Sequence, residues 1–149
     1  MKTPLLASLL FLALVSLLPA APQNSVAIPC PVPVADGGVT NLMLTPSSGI
    51  DLDGLPPSRD AVAISVRFAA TDATGGTATV RFVVTYDGTN WTDAASSLLV
   101  LSTSVTNAPV TVGDGFGVWG AKRIAVGSVS NACGGTLTGI VVRLNWPVP

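Results

Sequence analysis

The chain has 149 residues, enough for one domain of ordinary size and too few for two. Charged residues make up 10% and the net charge is −1, which excludes the basic footprint of a nucleic-acid binder. Every acid is Asp, Lys occurs only at Lys2 and Lys122, and His is absent, so the residues that fill exposed helix faces are nearly missing.

Residues 1–21 form a hydrophobic leader. Lys2 gives a short positive start, and Leu5 to Leu18 is apolar apart from Ser8 and Ser16. Pro19, Ala20 and Ala21 follow. The run is short for a membrane span and right for a secretory signal. The expectation is a signal peptide or, if it is retained, a hydrophobic anchor. The protein is then exported, to the extracellular space, a cell surface or a virion surface. Cys30 and Cys133 are an even pair behind that leader and read as one disulfide. Two separate buried thiols are the other reading.

Residues 22–35 carry Pro22, Pro29, Pro31 and Pro33 and read as an extended linker. A single domain is expected over 36–149. Its pattern has period two. Val62, Ile64, Val66 and Phe68 share one face of the first strong strand. Val80, Phe82, Val84 and Tyr86 share a face of the second, and Ile140, Val142, Leu144 and Trp146 a face of the last. Weaker strands are expected at 39–44, 97–105, 109–112 and 122–130. Turn signals fall at 47–58, 71–76, 86–90, 113–117 and 131–135. About seven short strands with no helical period read as an all-β, antiparallel β-sandwich, jelly-roll or immunoglobulin-like. The echo of SVRFA (65–69), TVRFV (79–83) and VVRLN (141–145) fits similar strands or a duplicated unit.

Catalytic chemistry is poorly supplied. General acid–base work would fall to Asp, Tyr86 or Lys122. No G-x-S-x-G elbow is present, and no His is there to activate a Ser or Cys. No cofactor or metal is expected, and the chain reads as not an enzyme. Asp51-Leu52-Asp53-Gly54 begins like a calcium loop, but Pro56-Pro57 follows and a turn is the better reading.

Three strand arginines, Arg67, Arg81 and Arg143, fall on the side away from the apolar stripes. On neighbouring strands they would make a positive ladder for a protein partner; otherwise they are solvated or paired with Asp. Trp91 and Trp119 are candidate interaction residues, either as a sugar platform or as core and rim packing. Trp146 is in register with a buried face. In YDGTNWTD (86–93), Asp87-Gly88 signals a hairpin, and Asn90-Trp91-Thr92 matches a glycosylation acceptor.

TVRFVVTYDGTNWTDAAS resembles a hairpin of small β-sandwich modules in tailed-phage virions and bacterial surface proteins. GAKRIAVGSVSNACGGTLTGIVVRL is similar to the closing hairpin of such modules. The resemblance implies a non-catalytic decoration, fibre, spike or adhesion unit. The leading expectation is therefore a structural subunit of a surface or virion assembly whose partners are neighbouring protein subunits. A secreted carbohydrate-binding module is the alternative, with glycan as partner. A membrane partner enters only if residues 1–21 are retained.

Overall fold

The computed structural model describes residues 23–28, 30, 33–53, 61–97 and 99–147; residues 1–21, the expected leader, lie outside them. The strands are β1 (Gln23–Ile28), β2 (Val39–Asn41), β3 (Ile50–Asp51), β4 (Ala61–Thr71), β5 (Thr74–Thr85), β6 (Val100–Thr106), β7 (Val110–Gly117), β8 (Arg123–Ala132) and β9 (Thr136–Pro147). One sheet has the order β1-β9-β4-β7, and the other β2-β8-β5-β6 with β3 also on β8. Every pairing is antiparallel. β2 and β3 occupy one strand position, interrupted at 42–49. Counted that way, the strands follow the two-sheet, double Greek-key order of a jelly roll. An immunoglobulin-like sandwich would instead place its first and second strands side by side.

The period-two pattern builds the core. Val62, Ile64, Val66 and Phe68 of β4 and Leu137, Ile140, Val142 and Leu144 of β9 point inward from one sheet. Ala78, Val80, Phe82 and Val84 of β5 meet them from the other, with Ile124, Val126 and Val129 of β8. Phe82 and Phe116 face each other across the layers, ring centroids 6.3 Å apart. Burying a side chain of this size contributes about 1.5–3 kcal/mol. Trp146 packs against the same core, as its register requires.

The structure departs from the sequence reading in three places. The stretch read as a linker contributes β1, which pairs with β9 from Gln23↔Pro147 to Ile28↔Val142. Val34 then bridges Leu137. The prolines flank these segments without interrupting them, and β1 is an edge strand, where missing donors are tolerated. Second, GDGFG (113–117) is not a turn but the second half of β7, paired with β4 from Ala61↔Gly117. It is also an edge strand. Asp114 sits opposite inward-facing Ile64 yet stays exposed, and a charge at such a position discourages further pairing. Third, the expected strand 39–44 is only Val39–Asn41, and β1 and the short β3 raise the strands among the described residues from the expected seven to nine.

The two outer faces of the sandwich differ. Val83 and Ala125 are buried although they point away from the core, because the chain folds back over the β2-β8-β5-β6 sheet. Segments 42–49 and 93–97 form this cover. Gly127 of β8 lies beneath it: a Cβ there would stand 2.6 Å from Val83 Cγ1 and 2.9 Å from Ala94 Cβ. Trp91 fastens the cover, its Nε1 donating to the Thr45 carbonyl at 3.1 Å. Arg123 adds to it by donating to the carbonyls of Ser47, Ser48 and Gly49. On the other sheet, the described residues at the outward register positions of β4 and β9 are exposed or half-buried.

Candidate functional site

Loops 45–53, 86–93 and 118–122 gather at one end of the sandwich. Lys122 links them: its N–H donates to the Thr85 carbonyl at 2.8 Å, and its carbonyl accepts from Leu52 at 2.7 Å. The loop 86–90 is not a two-residue hairpin turn; the ladder resumes only at Thr85↔Trp91. Asp87 shapes it. Its carboxylate accepts from the backbone N–H groups of Asn90 and Thr89, both at 2.7 Å. It also accepts from Asn90 Nδ2 at 2.6 Å and Thr85 Oγ1 at 2.9 Å. The Asn90 and Thr89 amides hold this carboxyl well below the usual Asp range. Asn90, the candidate glycosylation acceptor, is exposed, but its side-chain amide is engaged with Asp87.

Two aromatic side chains stand out from this end: Tyr86 is 57% and Trp119 73% exposed. Trp119 rides a tight turn closed by Ala121 N–H donating to the Val118 carbonyl at 3.0 Å. Gly120 takes the left-handed position of that turn, φ 67°. A cleft of about 420 Å3 opens beside it, lined among others by Val84, Tyr86, Asp93, Ser96, Leu99 and Val118. The Asp93 carboxylate accepts from Ala95 N–H at 3.0 Å and Ser96 Oγ at 3.2 Å. Asp51, Asp53, Asp87 and Asp93 are all exposed here, with Lys122 among them. Trp91 takes no part in a platform, because its ring is half-buried and its Nε1 is bound to Thr45.

The arginines do not form one ladder. Arg67 on β4 faces Val141 of β9, and Arg143 of β9 faces Ser65 of β4. The two are diagonal neighbours on one outer face, with Cβ atoms about 7–8 Å apart for such pairs. Arg81 of β5 pairs with Ser128 of β8 and so lies on the opposite side of the molecule. None of the three makes an ion pair with a described carboxylate. Around Arg143 the face is built mostly of small residues, and exposed Val141 lies beside Arg67. One row across the sheet reads Ala27, Arg143, Ser65, Gly113; the next reads Ser25, Asn145, Ala63, Gly115.

The disulfide expectation is corrected. Cys30 and Cys133 are free thiols that pack separately against the core. Cys133 follows β8 and its N–H is held by Asn131 Oδ1 at 3.0 Å. Cys30 lies beyond β1, and burial pushes its thiol up to about 12. Tyr86 was missed as a surface residue because the period-two pattern carries it onto the buried face; the chain leaves the sheet at that residue. The sequence does not bring Asp51 and Asp53 to the same end as the 86–93 loop, because that approach runs through the backbone of Lys122. Among the described residues no three Cys or Asp side chains converge as metal ligands. No family model, no curated protein and no solved structure matches this chain.

Proposed function

We propose that the chain is a non-catalytic structural subunit that docks onto neighbouring protein subunits in an extracellular surface or virion assembly. The observation that carries this reading is the contrast between the two outer faces. One is covered by the chain's own loops, whereas the other presents Arg67 and Arg143, without ion-pair partners among the described residues, on a flat ground of small residues. Close approach of another subunit needs such a ground, and desolvated arginine is a frequent interface anchor. Jelly rolls recur in viral capsid and lectin domains, a fold-level analogy in the same direction. Export follows from the leader and belongs to the same proposal; intact-mass measurement of the recovered chain tells whether residues 1–21 remain.

The test is fractionation of the particle or surface layer in the native source. The wild-type chain should co-sediment with it. Arg67→Ala/Arg143→Ala should be released to the soluble fraction, while Arg81→Ala, on the other side, should not. Equal retention of all three would remove the reading.

The exposed pair Tyr86 and Trp119 beside the cleft favours a second reading, a carbohydrate module. Aromatic faces stack on the apolar face of a pyranose, and Asp93 with Ser96 would meet its hydroxyls. A glycan array with Tyr86→Ala and Trp119→Ala tests it, and absence of glycan binding by the wild-type chain ends it.

A further inference from the structure

We infer that the partner on the arginine face is a second copy of this chain, docking through the end formed by loops 45–53, 86–93 and 118–122. This rests on the docking role proposed above and names its occupant. Charge complementarity carries it. Arg67 and Arg143 stand on the outer β1-β9-β4-β7 face with no described carboxylate paired to them. Among the described residues, the loop end exposes the carboxylates of Asp51, Asp87 and Asp93 and the single cation Lys122, since the Arg123 guanidinium is spent on the carbonyls of 47–49. Arg67 and Arg143 thus stand together on one sheet face, while Asp51, Asp87 and Asp93 stand at one end.

Shape agrees with charge. The end projects Tyr86 and Trp119, while the arginine face sets the small Ala27, Ala63, Ser65, Gly113 and Gly115 beside the exposed aliphatic Val141. Large rings can lie flat on such a ground, with carboxylates reaching Arg67 and Arg143 in forked pairs. The β2-β8-β5-β6 face offers no equivalent seat, because 42–49 and 93–97 lie over it. The contact joins two different surfaces, so it does not close as a dimer. It continues into a ring or an open chain of subunits.

Sedimentation velocity of the full-length chain over a concentration series tests this. The wild type should form species beyond a dimer at about 0.05 M salt and lose them at about 0.5 M, where exposed charges are screened. Arg67→Glu/Arg143→Glu and Asp51→Lys/Asp93→Lys should each associate at least tenfold more weakly alone. An equimolar mixture of the two, or the fourfold variant, should restore association, which also shows that the variants fold. Association unchanged by either charge reversal, such as leader-driven aggregation, would overturn the second copy as occupant and leave the docking role standing. A wild-type chain monomeric at every concentration would overturn the inference as well. Retention in the native particle decides the docking role separately.

Discussion

Gly127→Ala probes whether the cover over the β2-β8-β5-β6 sheet is packed as tightly as the core. The new methyl would stand 2.6 Å from Val83 Cγ1 and 2.9 Å from Ala94 Cβ. Apolar carbons rest at about 3.5–4.0 Å, so both contacts are overlaps. Ala94 sits on a loop segment and can lift away. Val83 belongs to β5, held between β8 and β6, and cannot retreat far. Overpacking of this kind costs about 1–3 kcal/mol. Urea unfolding should show the loss as a lower midpoint with an unchanged slope. Val83→Ala alone should cost about 2 kcal/mol from lost burial and a small cavity. The two together should cost less than their sum by about 1 kcal/mol, because the smaller side chain makes room for the methyl. A Gly127→Ala variant within about 0.5 kcal/mol of wild type, or additive costs, would refute the packed cover.

Asn131 is 2% exposed and ties three segments: its Nδ2 donates to the carbonyls of Val34 and Gly135, each at 2.8 Å, and its Oδ1 accepts from Cys133 N–H. Asn131→Ala strands those groups and should cost on the order of 3 kcal/mol by urea unfolding. Trp91→Phe should lose about 0.5–1.5 kcal/mol with the Thr45 hydrogen bond. Trp119→Ala, at an exposed site, should stay within about 0.5 kcal/mol. Both cysteines should titrate as free thiols in denaturant and react slowly with a disulfide reagent in the folded chain near neutral pH. Because burial raises Cys30 from 9.0 to about 12, its neutral form supports folding fully below pH 9. That support should disappear as pH rises from 9 to 12; Cys30→Ala should flatten the loss.

Much of the sandwich was legible because one rule, period two, governs Val62–Phe68 of β4, Ala78–Val84 of β5 and Ile140–Leu144 of β9. Val62 to Phe68 and Ile140 to Leu144 are inward in the sequence and in the fold. The rule fails where tertiary context intervenes. Edge strands tolerate the glycines of 113–117 and the prolines around β1, so composition read them as turn and linker. Buried Val83 and Ala125 could not be foreseen, because their cover comes from loops whose path over the sheet no periodicity fixes. Site residues were legible singly and not in groups. Arg67 and Arg143 converge only because β4 and β9 are neighbours, and Arg81 parts from them because β5 crosses to the other sheet. Tyr86 and Trp119 meet at one end through the Thr85–Lys122 hydrogen bond, a contact no spacing announces.

If this jelly roll joins copies of itself through its arginine face, its mass in solution depends on Arg67 and Arg143. Light scattering of the full-length chain across concentration, for wild type and for Arg67→Glu/Arg143→Glu, tests it most directly. The wild-type molar mass should climb past the dimer with concentration, and the variant should stay near the monomer's 15.0 kDa. A wild-type chain that holds the monomer mass throughout, or a variant that climbs with it, would rule out self-association through these arginines.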